Sequence, residues 1–410
     1  MTPGRMTPGP DPESEPHTGG EYGAAPKRVF VDARWTRTDF PDGISRYGAG
    51  IIEALHRLRP VTMLIHDRRQ LRLLPEGVPY RLINSPFSPR ELLLSRTLRR
   101  LGAEVVFSPL QVIGGFRRRY VLVLTLHDLI YYRDPRPPGF LPLPVRVVWW
   151  LFHHAWWPQR LLLNRADAVV TVSDTTKRLI ARHRLTVRSV TVVPNAPGDA
   201  PVSVVRTDTA TGLTESSAVE PGEAVVDEPE PGAGAPRREL LYMGSFMPYK
   251  NVETLLAGMA RLPGYRLHLL SRIPPGRERE LRRIVPSDAE VVFHNGIEES
   301  AYRLLLRRAA ALVTASRDEG FGLPVIEAMN AETPVVCSDI PIFREVSGGN
   351  AWFFDPDSAA DFATAVRRTE NVEPRGSVVA AARAHAAGFT WEASARRLSE
   401  LISRLEHRSA

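Results

Sequence analysis

The sequence predicts an α/β protein with two Rossmann-like domains, their parallel sheets facing a central cleft. Three observations lead there. Short β-branched and apolar runs without polar alternation recur along the chain, as in strands buried on both faces. Segments with helical apolar spacing lie between them, which makes parallel βαβ units. A stretch rich in Pro, Gly, Ser and Glu, from Gly198 to Arg238, separates two ordered halves of similar length. Ligands of such sheets bind beyond the carboxyl ends of the strands.

The strands follow in order. The first half offers VFVDA (29–33), VTMLI (61–65), EVVFS (104–108), VLVLT (121–125), AVVTV (168–172) and SVTVV (189–193). The second offers LLYMG (240–244), YRLHLLS (265–271), EVVFH (290–294), ALVTA (311–315) and TPVVCS (333–338). Between them Ile44, Tyr47, Ile51, Leu55 and Leu58 keep helical spacing, as do Val252, Leu255, Leu256 and Met259. Residues 1–27 and 198–238 are too polar and too rich in Pro and Gly to repay chain entropy, so both are expected to be disordered.

Composition excludes several classes. The chain has 410 residues, 43% hydrophobic and 24% charged, which suits two or three globular domains and not a fibrous or wholly disordered chain. Its one cysteine, Cys337, rules out an intrachain disulfide and a Cys-built zinc site, and reads as core filler in a buried strand. No cluster of His, Asp and Glu has convincing metal spacing, so no metal is expected. Residues 1–27 lack the apolar core of a secretory signal, and a cytoplasmic location is the expectation. The most apolar window, 140–163, is interrupted by Pro142, Pro144, Arg146, His153, His154, Pro158 and Arg160; it lacks the roughly 20 clean residues of a membrane span.

Charge is uneven. Residues 28–200 hold 27 Lys and Arg against 13 Asp and Glu, whereas 239–410 hold 21 against 22. A basic half implies an anionic partner: acidic lipid, a phosphorylated substrate or nucleic acid. Within it, VRVVWWLFHHAWWPQRLLLNR packs Trp149, Trp150, Trp156 and Trp157 among Arg146, Arg160 and Arg165, with Arg96, Arg99, Arg100 and Arg117 to Arg119 elsewhere in the half. Two readings stay open for it: a helix packed on the domain core with solvated arginines, or a peripheral surface for anionic membrane at the inner face of the cell membrane.

The most informative segment is ALVTASRDEGFGLPVIEAMNAETPVVCSD. A buried strand ends near Ala315, a loop with Gly320 and Gly322 follows, and Pro324 stands at a first helical turn. Glycines before a helix N-terminus expose backbone N–H groups and a positive dipole end to a phosphate. Glu319 and Glu327, with seven residues between them, bracket the loop; the alternative is a packing element with two surface acids. LLYMGSFMPYKNVETLLAGM makes a second strand-to-helix turn, with Gly244, Ser245 and Lys250. VFVDARWTRTDFPDGISRYGAG makes a third, with Asp42, Gly43, Arg46 and Tyr47. VLVLTLHDLIYYRDP puts His127 and Asp128 just after a buried strand, at the cleft edge, where two readings stay open: a pair that fixes a loop, or a base with its orienter. Ser173 or Asp174 reads as a helix N-cap.

The string EGFGLPVIEAM in this context resembles the donor site of the group-1 (family-4 type) retaining glycosyltransferases with the GT-B fold, and the Arg-Tyr and His-Asp variants resemble their mannosyltransferase-like members. The likeness covers about residues 28–200 and 239–405. It implies an acceptor domain over 28–197, a nucleotide-sugar domain over 239–388, and a closing helix within 389–410 that packs back on the first domain. It implies that Glu319 holds sugar hydroxyls, Glu327 the ribose, Lys250 the diphosphate and His127 the sugar near the reacting carbon. Gly43, Gly244, Ser245 and the segment Gly320, Phe321, Gly322 and Leu323 would complete the donor site. Many members carry an arginine where this chain has Ser245 or Tyr249, leaving one cation where two are common. The implied reaction moves a hexose from a nucleoside-diphosphate sugar, GDP-mannose first and UDP- or dTDP-sugars next, to a glycan or lipid-linked hydroxyl without a cofactor. The competing readings are a sugar-nucleotide epimerase of the same fold, which would release free sugar nucleotide, and a basic membrane- or nucleic-acid-binding protein without catalysis. No recognisable nucleic-acid motif supports the last.

Overall fold

The computed structural model describes residues 28–38, 42–133, 135, 143–198 and 238–408. Strands β1 (Val29–Asp32), β2 (Val61–Ile65), β3 (Tyr80–Leu82), β4 (Val105–Ser108), β5 (Val121–Leu126), β6 (Ala168–Thr171) and β7 (Ser189–Val192) form one parallel sheet, ordered β3-β2-β1-β4-β5-β6-β7. Strands β8 (Arg238–Tyr242), β9 (Tyr265–Leu269), β10 (Glu290–Phe293), β11 (Ala311–Thr314), β12 (Val335–Ser338) and β13 (Trp352–Phe354) form a second, ordered β10-β9-β8-β11-β12-β13. Each sheet reverses its winding once, at β1/β4 and at β8/β11. A crevice opens at such points.

The two Rossmann-like sheets follow from the apolar runs. β1, β4, β5, β6, β11 and β12 are buried along their whole length, because helices cover both faces of a parallel sheet. β3 and β13 were not legible in the sequence. Both are three-residue edge strands, too short to show a period. The tail 1–27 lies outside the described residues, as does 199–237. The ends of the second segment depart from the expectation: Arg238 opens β8 by pairing with Tyr265, and the Gly198 carbonyl accepts from Arg303 at 2.8 Å.

Helices α1 (Gly43–Leu58), α2 (Leu94–Arg100), α3 (Ile130–Arg133), α4 (Leu143–His153), α5 (Trp156–Asn164) and α6 (Asp174–Arg182) surround the first sheet. Helices α7 (Val252–Met259), α8 (Pro275–Arg282), α9 (Glu299–Arg308), α10 (Leu323–Asn330), α11 (Pro341–Ser347), α12 (Ala359–Arg368), α13 (Val372–Ala386) and α14 (Trp391–Arg408) complete the second half. α1 begins where the Asp42 carboxylate accepts the Ser45 N–H at 2.9 Å, an N-cap. Tyr47, Ile51 and Leu55 are buried on its inner face, while Leu58 is half exposed at the last turn.

α14 returns from the second half and lies along α1. The Trp391 ring sits so close to Gly50 that a Cβ there would come within 2.3 Å of it. Arg59 pairs with Glu406 at 2.6 Å, and Ser394 donates to the Pro194 carbonyl at 2.8 Å. One apolar core therefore runs through both sheets. Beneath the first half of the cleft, Arg34 is fully buried with Asp32 at 2.7 Å and Glu91 at 2.6 Å. Glu91 also takes the Gly114 N–H at 2.8 Å, so three loops at the carboxyl ends of β1, β3 and β4 are tied together.

Candidate active site

The loop after β11 carries most of the candidate residues. Gly322 caps α10 in the left-handed region, φ 93°, and a Cβ there would lie 2.8 Å from the Phe343 ring, so only glycine fits. Pro324 follows in the first turn, where its missing N–H costs nothing. The α10 N-terminus is thereby aimed at the cleft. Glu319 lies just before it, and its carboxylate accepts from the Ser316 hydroxyl at 2.8 Å and from the Lys250 ammonium.

Lys250 reaches this carboxylate from the turn after β8. Asn251, next to it, adopts a left-handed φ of 53°. Its buried amide donates to the Ala315 carbonyl at 3.2 Å and the Pro356 carbonyl at 2.6 Å. Asn251 therefore clamps the lysine turn onto the glutamate loop. Asparagine tolerates that backbone region, which is the signal for the clamp in Lys250–Asn251. Gly244 and Ser245 play a different part: the Gly244 N–H donates to Ser271 Oγ at 3.0 Å and the Ser245 carbonyl accepts from the Tyr242 hydroxyl at 2.6 Å. Both shape the turn, and the amide of Gly244 is already engaged.

The first half faces this loop directly. A Cβ on Gly320 would lie 3.0 Å from the Asp128 Cβ and 3.1 Å from the His127 carbonyl oxygen. His127 Nε2 donates to the Pro109 carbonyl at 2.7 Å, and its ring meets the Tyr47 ring edge-on at 4.9 Å. Burial lowers the imidazole pKa. The shift favours the neutral ring, and since Nε2 gives its proton to Pro109, Nδ1 of that form is an acceptor. The His127–Asp128 couple contemplated from the sequence is not formed. Asp128 instead accepts the Ile130 N–H at 3.1 Å, and burial pushes its carboxyl up to about 6, aided by Asp318 and Glu319. Arg133 of α3 reaches across to Asp318 at 2.8 Å.

Glu327 lies one turn into α10, away from the Lys250 pair. Its Oε1 takes Arg46 Nη1 of α1 at 3.2 Å and its Oε2 takes the Tyr302 hydroxyl at 2.9 Å. Burial raises its pKa, and the Arg46 charge opposes that rise. The sequence gives Arg46, Tyr302 and Ser316 no role: Arg46 meets Glu327 only where the halves dock, whereas Tyr302 and Ser316 meet Glu327 and Glu319 through folding within the second half. Phe321 is buried against Phe389 at 5.7 Å, so only its backbone is open to a ligand role. Gly43 opens α1 with free space where a Cβ would point. The structure therefore gathers Lys250, Glu319, Gly320 and the His127 backbone at one point, with Glu327 further along α10.

A family model described as glycosyl transferases group 1 matches residues 237–371, and one for glycosyltransferase family 4 matches 41–196. The chain is 28% identical over 196 residues, 47% of its length, to the serotype-specific mannosyltransferase WbdA of Escherichia coli. It is 34% identical over 119 residues, 27% of its length, to a GDP-mannose:cellobiosyl-diphosphopolyprenol alpha-mannosyltransferase of Xanthomonas oryzae pv. oryzae. These matches span only 22% and 31% of the two relatives' own lengths. A solved sucrose-phosphate synthase from Thermosynechococcus elongatus superposes with a TM-score of 0.65 at 18% identity, covering 93% of this chain and 100% of that one. With two parallel sheets facing a cleft and a family model on each half, the chain belongs to the group 1, family 4 glycosyltransferases of the GT-B fold.

Proposed function

We propose that this chain moves a hexose, mannose in the first instance, from a nucleoside-diphosphate sugar to an acceptor hydroxyl with retention at the anomeric carbon. The observation that carries this reading is the Lys250–Glu319 pair at the α10 N-terminus, facing His127 and Asp128. The difficulty of the reaction is charge separation. The bond from the anomeric carbon to the phosphate oxygen breaks with its electron pair on the phosphate, while the sugar gains oxocarbenium character. Lys250 and the amides of Gly320–Leu323 take up the charge on the leaving diphosphate, most effectively in a dry, closed cleft. Glu319 holds sugar hydroxyls, Glu327 the ribose, and His127 Nδ1 accepts from the sugar. The acceptor oxygen bonds to the anomeric carbon on the face the phosphate leaves, and its proton passes to the departing phosphate oxygen.

The acceptor is assigned to the first half, as a glycan or lipid-linked alcohol. Among the described residues no helix is long and apolar enough to cross a membrane. Yet α4 and α5 turn apolar side chains outward: Leu143 is 73% exposed, Val148 66%, Trp157 66% and Leu161 60%. Their inner face packs on the protein, where Trp149 meets Tyr131 and Trp156 stacks on Tyr132. An outer apolar face beside exposed Arg160 and Arg165 suits anionic lipid at the inner face of the cell membrane.

The reading is tested by assaying purified variants with GDP-mannose, UDP-sugars and dTDP-sugars on membrane-derived lipid acceptors. Lys250→Ala and Glu319→Ala are each expected to lower turnover by about 100-fold or more with unchanged melting. Wild-type turnover in both would overturn the site, and release of an epimerised sugar nucleotide without acceptor would replace the activity.

A further inference from the structure

Arg46 is the fourth residue of α1, yet its side chain serves the other half of the molecule. Its guanidinium forks between two carboxylates there, Glu327 at 3.2 Å and Glu299 at 3.1 Å. Glu299 is steadied in turn by Arg303 at 3.2 Å. An exposed arginine pair contributes little by itself, but the Glu327 side chain is only 12% exposed. A carboxylate in such a place is costly unless its charge and lone pairs are met.

The partners of Glu327 are disposed in a particular way. Arg46 approaches one carboxylate oxygen and the Tyr302 hydroxyl the other. An ionised carboxylate offers about four lone-pair sites, so roughly one on each oxygen is left over. Two adjacent acceptors on a fixed plane match a pair of vicinal hydroxyls. Tyr302 belongs to the same half as Glu327, whereas Arg46 comes from across the cleft.

We propose that Arg46 is a positioning residue that reaches across the cleft to fix the Glu327 carboxylate for the vicinal diol of a nucleotide's ribose, so that the nucleoside site is complete only when the two halves are closed. The inference rests on Glu327 as the ribose ligand and adds what orients it. It brings a second cation, besides Lys250, to the proposed donor site. That cation acts on the carboxylate that grips the ribose. Recognition of the nucleoside and closure of the cleft thereby become one event.

The test compares GDP and UDP with their 2′,3′-dideoxy counterparts by titration calorimetry, for the wild type and for Arg46→Ala, Arg46→Lys and Glu327→Gln. For whichever base binds, Arg46→Ala is expected to weaken the ribonucleotide about tenfold. It should leave the dideoxy ligand within about twofold, and Arg46→Lys should recover part of the loss. Equal weakening of both ligands, or of neither, overturns the role of Arg46 provided Glu327→Gln has lost the preference for ribose. If Glu327→Gln keeps that preference, the ribose assignment itself fails and takes this inference with it. Unchanged melting of Arg46→Ala separates either result from misfolding.

Discussion

Lys250 and Glu319 neutralise each other at the mouth of α10, and that pairing sets what a donor meets. An ammonium has three donors, so on the proposed reading Lys250 would hold the glutamate and a phosphate oxygen together, at the junction of sugar and diphosphate. Asp128 lies opposite with the Ile130 N–H on one carboxylate oxygen, and burial has moved its pKa from 3.8 to about 6. A carboxyl raised on folding favours the folded state while neutral. Its contribution is present below about pH 4 and lost as pH climbs to about 6. Asp128→Asn keeps an acceptor for Ile130 and cannot ionise. Its melting temperature should exceed the wild type's at pH 7 and converge with it by pH 4, followed by differential scanning fluorimetry. A variant no more stable than the wild type at pH 7 would contradict this account of Asp128.

The loop ahead of α10 and the turn ahead of α7 supply the second half's side of the site, and the sequence exposed both. Buried parallel strands leave apolar runs, and the glycines of EGFGLP leave a visible break before a helix. Gly322 in its left-handed conformation accounts for one of them, and the contact of Gly320 with Asp128 for the other. β3 and β13 leave no signal in the sequence because three residues cannot display a period. The reach of Arg46 to Glu327 was illegible for another reason: 281 positions separate the two, and local patterns carry no information on domain docking. The helices α4 and α5 were ambiguous in sequence, since an apolar stripe looks the same whether it faces core or lipid. Their exposed outer face makes a measurable difference. Leu151→Glu with Trp157→Glu should cut co-sedimentation with anionic phosphatidylglycerol vesicles by about tenfold or more. Binding that ignores these changes, or shows no preference for anionic over neutral lipid at moderate salt, would remove the membrane role.

Across the whole molecule, the cleft is held shut by contacts that join its two halves. Arg46 meets Glu327 and Glu299, and Arg133 meets Asp318. Glu345 of α11 accepts the Asp174 and Thr175 N–H groups of α6 at 2.7 and 2.6 Å, a carboxylate at a helix N-terminus. α14 bridges the halves along α1. These contacts close around the point where Lys250, Glu319 and the His127 backbone converge, and on the proposed reading a dry cleft there would let one lysine and a helix dipole stabilise a leaving diphosphate. The most direct measurement is a crystal structure with GDP-mannose or UDP-sugar bound. The account predicts the diphosphate between Lys250 and the amides of Gly320–Leu323, the sugar against Glu319 and His127, and the ribose on Glu327. A donor seated elsewhere, with Lys250 and Glu319 still paired only to each other, would contradict it.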